Sequence, residues 1–259
     1  MKTKTNTANA KEVKLKLNPQ VLKKLPELVS ALDIADTFSD MVCLSVYRYV
    51  EYNDWEVPIV GFSIGNDSSS VGSITFVGGI HGVERIGSQV VLSFLQRLLS
   101  TAKWDKQIIH LLESVRLNFL PIINPVGMYL GQRANGNGVD LMRNSPIEAQ
   151  DKVPFLAGGQ SISPILPWYR GKNGLENENQ TLIEYLKQHV LSNGFSMVLD
   201  CHSGFGMRDR IWTPYAYRKR PPNLIGSYFA LNQLFQETHP HNNYVFEPQS
   251  HQYTTHGDF

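Results

Sequence analysis

The stretch GSITFVGGIHGVERIGSQVVLSFLQRLL, residues 72–99, decides how the rest of the chain is read. Its first part is a short apolar run bounded by glycines, as expected of a central strand buried on both faces. Its last part repeats valine and leucine at helical spacing. A strand that hands over to a helix within a few residues points to an α/β architecture, where sites collect at the carboxyl ends of the strands. The corner carries His81 and Glu84, two polar groups for which a hydrophobic core has no use.

Outward from this corner the alternation continues. Residues 41–52 (MVCLSVYRYVEY) and 55–65 (WEVPIVGFSIG) read as strands joined by a turn at Asn53-Asp54. Residues 17–36 have apolar residues at helical spacing, broken by Pro26, and predict one or two short helices. The polar, basic residues 1–18 are expected to be a flexible segment, leaving 19–259 as one domain. Downstream, SVRLNFLPIIN (114–124) predicts another buried strand, closed by Pro125 and Gly127. Residues 126–175 are rich in Gly, Asn and Pro, and an irregular stretch of that length in a compact domain is usually functional or disordered. ENENQTLIEYLKQHVLSN (176–193) predicts a helix, with Asn and Glu suited to its start. FSMVLDCHSG (195–204) and RIWTPYAY (210–217) predict strands, residues 221–237 a helix, and the tail from Thr238 an irregular end. Strands alternating with helices argue for a mostly parallel or mixed sheet.

Composition narrows the function classes. The chain is 259 residues, 42% hydrophobic and 18% charged, enough for a substantial core. A net charge of +1 gives no electrostatic argument for nucleic acid or an anionic membrane as partner. No apolar run approaches the roughly 20 residues of a membrane span, and the N-terminus lacks the apolar core of a secretory signal. Cys43 and Cys201 both lie in apolar, strand-like runs, so the expectation is two buried thiols in a reduced, cytoplasmic protein.

Three side chains at strand ends suit a divalent metal. His81 and Glu84 offer two ligands from one turn, and His202, after the strand FSMVL, offers a third. A hydrolytic zinc site takes three such ligands and keeps a fourth position open. Asp200 lies two residues before His202, on the same face if the strand persists, and is a candidate partner for its imidazole. A His-x-x-Glu pair arises often by chance; the conjunction of two strand ends, adjoining glycines and an intervening loop with Arg133 and Arg143 carries more weight. Guanidinium groups suit carboxylate binding through forked hydrogen bonds. Asp140 and Asn144 could brace that loop. The tail histidines His239, His241, His251 and His256 invite a second-metal reading, although loop histidines are usually solvated or capping.

HGVE at 81–84, INPVG at 123–127, GVDLMRN at 138–144, YRGKNGLENENQT at 169–181 and LDCHSG at 199–204 occur in the order found in zinc carboxypeptidases of the funnelin (M14) type. The sequence resembles that family from about residue 40 onward. The resemblance implies an α/β/α sandwich around a mixed, mostly eight-stranded sheet, with the C-terminal part of the domain missing, and one catalytic Zn(2+) held by His81, Glu84 and His202. It further implies Arg133 as the group that polarises the scissile carbonyl, Arg143 as the one that binds the substrate's terminal carboxylate, with Asn144 beside it, and Tyr253 as the mobile tyrosine that closes over substrate. Two positions depart from the family's pattern. Met142 stands where the family usually has asparagine, and a methionine cannot donate an amide hydrogen bond. The family's general-base glutamate would fall beyond Phe259.

The expected function is metal-assisted hydrolysis of an amide, most simply release of a C-terminal amino acid from a peptide. A second expectation is deacylation of N-acyl amino acids, as in the related succinylglutamate desuccinylase and aspartoacylase group; Met142 slightly favours it, whereas Tyr253 and the Asn-Pro-x-Gly motif at 124–127 favour the peptidase. A third, from another class, is a non-catalytic protein that uses the metal or the arginines only for recognition.

Overall fold

The computed structural model describes residues 6–191 and 194–257. The chain divides into two compact units, one of Met1–Asn137 with Glu176–Ser203, the other of Gly138–Leu175 with Gly204–Phe259.

The first unit opens with β1 (Asn6–Thr7), α1 (Ala10–Lys16), α2 (Pro19–Lys24) and α3 (Pro26–Thr37). Residues 1–18 were expected to be loose, and from Asn6 onward they are not. Asn9 caps α1 by accepting from the Lys11 N–H, and Val13 and Leu17 are buried. Lys11 and Lys14 pair with Asp36 and Asp33 of α3. The segment reads as polar in isolation because its few apolar residues gain a face only when α3 is beside them. Pro19 and Pro26 each open a helix, where the missing proline N–H costs nothing.

The strands β2 (Cys43–Tyr52) and β3 (Trp55–Gly65) form an antiparallel pair, with Asn53 at φ 52° in the turn. Then come β4 (Gly72–Gly78), α4 (Arg85–Ala102), α5 (Lys106–Ser114), β5 (Val115–Leu120), α6 (Pro125–Leu130), α7 (Asn177–His189) and β6 (Ser196–Cys201). Helix α5 was not anticipated from the sequence, although Asp105 caps it in the ordinary way. Pro125 begins α6 rather than simply closing the preceding strand. Ser192 and Asn193, expected in the last turn of α7, lie outside the described residues.

The sheet order is β1-β2-β3-β5-β4-β6, with β4 parallel to both β5 and β6 and the other pairs antiparallel. Side chains alternate between its faces. On one face Phe62, Phe76 and Phe119 meet α4 through Phe94, Leu95 and Leu99; Phe76 and Phe119 stack with centroids 5.3 Å apart. On the other, Tyr47 packs edge-on against Tyr185 of α7, and Ser63 bonds Asn118 at 2.8 Å. The unit is therefore an α/β/α sandwich around a mixed sheet. An ion pair from half-buried Arg85 to buried Glu27 ties the start of α4 to α3. Strand β6 pairs with β4 alone among the described residues, and its Val198, Leu199 and Asp200 are exposed.

The second unit holds β7 (Arg210–Thr213), α8 (Ile225–Thr238) and β8 (Val245–Pro248). β7 and β8 form their own parallel ladder. The expected eight-stranded sheet is thus, among the described residues, a six-stranded sheet and a separate pair. Cys43 is exposed, because it lies on the opposite side of β2 from buried Leu44; the expectation of two buried thiols holds for neither cysteine in full, since Cys201 is only half-buried.

Candidate metal centre

The corner between β4 and α4 is held by backbone contacts that only glycine permits. A Cβ on Gly82 would lie 2.1 Å from the Gly127 carbonyl carbon, and one on Gly87 would lie 1.9 Å from the Cys201 oxygen. The second contact seats the end of β6 against the first turn of α4. Asn124, the cap of α6, fixes the corner from the other side: its Nδ2 donates to the Ile80 carbonyl at 3.1 Å and its Oδ1 accepts from Gly127 N at 2.8 Å. His81 and Glu84 project from this corner and His202 from the residue after β6. The imidazole centroids of His81 and His202 are 4.8 Å apart at an interplanar angle of 82°. One ligand atom from each of His81, Glu84 and His202 lies within 4.8 Å of the others, the one group among the described residues able to hold a metal ion. Two nitrogens and a carboxylate oxygen are the donor set zinc accepts; the His202 side chain is 29% exposed, against 2% for His81 and 10% for Glu84.

The charges are organised around Glu84. Its Oε1 lies 2.8 Å from His81 Nδ1 and its Oε2 accepts the Ser203 backbone N–H at 2.8 Å. Burial works to raise its pKa, but the His81 hydrogen bond, the two imidazoles and the Ser203 N–H together hold the carboxyl below its ordinary value. His202 Nδ1 lies 2.5 Å from Asp200 Oδ2, the contact that same-face spacing left open. Crowding by the protein pulls the His202 pKa down, yet Asp200 and Glu84 outweigh it and the imidazole titrates above its ordinary value. Next to it, burial and Asp200 push the Cys201 thiol up to about 11, which leaves it unreactive at neutral pH.

Arg133 is in the same unit. Its Nη1 approaches Glu84 Oε1 at 3.4 Å, and its carbonyl accepts from Gly82 N, also at 3.4 Å. Neither Asn124 nor the Ser203 N–H was assigned a role from the sequence; the Asn-Pro step that opens α6 was the available signal for the first.

The second unit carries the remaining candidates. Arg143 is buried, 4% exposed. Its Nε donates to the Ala157 carbonyl at 3.1 Å, and no carboxylate among the described residues pairs with it. Its guanidinium lies 5.9 Å from the Tyr253 ring centroid, and Tyr253 packs with Phe205 and Trp212. Asn144 donates its amide hydrogens to the carbonyls of Arg170 (2.8 Å) and Gly174 (2.9 Å), so it braces the loop and does not offer them to a substrate. Asp140 Oδ1 accepts from Met142 N and stiffens the same turn.

A mixed sheet with a His-Glu-His cluster at the ends of two parallel strands defines an α/β protein built to hold a divalent metal. The zinc carboxypeptidase family matches residues 30–258, and the chain belongs to it. Carboxypeptidase M of Mus musculus is 28% identical over 123 residues, 44% of this chain and 28% of that protein. The carboxypeptidase N catalytic chain of Homo sapiens is 33% identical over 147 residues, 51% of this chain and 31% of that protein. The chain thus spans about a third or less of these relatives' length. Among solved structures, thrombin activatable fibrinolysis inhibitor superposes with a TM-score of 0.68 at 15% identity, covering 96% of this chain and 66% of that one. Carboxypeptidase A from Helicoverpa armigera gives 0.69 at 18% identity, covering 89% and 58%. These two likenesses are of fold.

Proposed function

We propose that the protein is a zinc-dependent metallocarboxypeptidase that hydrolyses the last peptide bond of its substrate and releases a C-terminal amino acid. The observation that carries this reading is the convergence of His81, Glu84 and His202 from the ends of two neighbouring strands. These three would hold one zinc ion. When bound, zinc supplies Lewis-acid polarisation of a carbonyl and activation of water. Asp200 fixes the tautomer and tilt of the His202 ring, and the Ser203 N–H fixes the rotamer of Glu84. Arg133 is the candidate donor to the negative charge that develops on the carbonyl oxygen, a role worth about 3 kcal/mol in comparable sites.

Arg143 is the candidate anchor for the substrate's terminal carboxylate. A buried guanidinium without an acidic partner is costly unless an anionic group completes it, and a carboxylate fits its fork. Tyr253, stacked near it, is the candidate group that closes over substrate. Glu247 is not assigned as general base: its carboxylate is engaged by Arg210, by Trp212 Nε1 at 3.3 Å and by Gln252 at 3.1 Å.

A second reading, deacylation of small N-acyl amino acids, is favoured by Met142, which removes an amide donor from beside Arg143. A panel of peptides with free C-termini against N-succinyl and N-acetyl amino acids separates the two. Release of a C-terminal residue, with one zinc per chain that disappears in His81→Ala, is the expected result. Absence of stoichiometric zinc in the unsubstituted protein, or a zinc content unchanged by His81→Ala, would overturn the metallopeptidase reading.

A further inference from the structure

Two residues beyond Arg133, the side chain of Asn135 is almost fully buried, 1% exposed. Its Nδ2 is held by two carboxylates at the start of α7: Glu176 Oε2 at 2.9 Å and Glu178 Oε1 and Oε2, each at 3.3 Å. Its Oδ1 accepts from Asn137 N at 3.0 Å, its carbonyl accepts from Gln132 Nε2 at 2.7 Å, and Asn137 Nδ2 donates to the same Glu176 oxygen at 2.7 Å. The loop 132–137 is thereby fastened at two points. The Arg133 carbonyl meets Gly82 N, one residue from His81, and Asn135 meets the acid pair.

Acids gathered in a dry place are expensive to fold. Glu178 is 2% exposed, and the cation that acts on it is Arg48 of β2, which is itself bonded to Thr181, Asn177 and Glu184. The metal cluster draws on neither acid. We infer that Glu176 and Glu178, acting through Asn135, are positioning residues that hold the Arg133 guanidinium at the orientation the reaction needs. Neither acid touches substrate; both work at a distance by removing the loop's freedom, and orientation errors of about 1 Å at such a group cost up to roughly 10²-fold in rate. The raised pKa of Glu178, pushed up to about 7 by burial and by the neighbouring Glu176, agrees with a carboxyl kept in a dry, acid-rich niche.

The inference rests on the role proposed above for Arg133, and its test separates the two. Asn135→Ala, the milder Glu178→Gln, Arg133→Ala and the Asn135→Ala/Arg133→Ala pair are compared for zinc content and for kcat and KM on a peptide with a free C-terminus. In the metal-free protein, the Arg133 Nε–H NMR resonance, assigned by its loss in Arg133→Lys, is followed in parallel. Asn135→Ala is expected to lower kcat roughly 10-fold with KM and zinc content unchanged, and to add less than about 2-fold in the Arg133→Ala background. Glu178→Gln, which keeps an acceptor for Asn135, should be intermediate, and both substitutions should shift the Arg133 resonance. Full additivity with Arg133→Ala, or an Arg133 resonance unmoved by either substitution, overturns the inference. If the unsubstituted protein cleaves no substrate, the peptidase reading fails and the resonance alone decides the positioning role.

Discussion

Replacing Glu178 with glutamine should make folding stability less sensitive to pH across the range 4.5 to 7. Burial moves the Glu178 carboxyl from 4.5 up to about 7, so the folded protein binds its proton more tightly than the unfolded chain does. Stability falls with rising pH wherever the native state holds the extra proton. The stabilising contribution is therefore complete below pH 4.5 and lost as pH rises through 7. At about 1.36 kcal/mol per pH unit, the loss over this window is about 3 kcal/mol. Glutamine has nearly the same shape, keeps an oxygen that accepts from Asn135, and does not titrate. Urea unfolding of both proteins in steps from pH 4.5 to 8.5 gives a difference curve in which every other titrating group largely cancels. The expected curve moves by about 3 kcal/mol in favour of the glutamine variant as pH rises, with most of the change below pH 7. A flat difference curve would refute the claim that this carboxyl is buried in the native state.

The other expectations concern the metal corner and Arg143. Asp200→Asn weakens the hold on the His202 ring and should lower zinc affinity roughly 10–100-fold, read by competition with a chromophoric chelator; equal affinity would show that the 2.5 Å contact does not position the imidazole. Gly87→Ala sets a methyl against the Cys201 carbonyl and should cost about 3 kcal/mol in thermal unfolding, since backbone on both sides leaves little room to yield; a melting temperature within a degree or so of the parent would contradict the close approach. Arg143→Ala should raise KM for peptides with a free C-terminus by about 10-fold or more, while C-terminally amidated peptides gain nothing from the original arginine.

Local signals in the chain were readable where one element carries its own punctuation. Pro26 separates α2 from α3, Asn53-Asp54 turns β2 into β3, and the glycines around His81 mark the end of β4. Features that depend on a distant partner were not readable. Val13 and Leu17 look sparse until α3 lies alongside them, and the eight expected strands divide because β7 and β8 pair with each other. Helix α5 runs directly into β5, so its apolar residues blend with those of the strand. At the site, the residue types and spacing of His81, Glu84 and His202 singled them out; Asn124 was marked only by the Asn-Pro step that opens α6, and Ser203 acts through a main-chain N–H that no side-chain pattern reveals. Glu176 and Glu178 pass in sequence for ordinary residues at a helix start; only the folded chain shows both of them on Asn135.

Among the described residues strand β6 pairs with β4 alone, and the residue that follows it is His202. An ion shared by His202 with His81 and Glu84 would tie the end of β6 to the end of β4, the strand paired with it. Chelation would then be felt along the strand as well as at the cluster: amides from Ser196 to Cys201 would exchange faster with solvent deuterium, and their protection would gauge occupancy without any substrate being added.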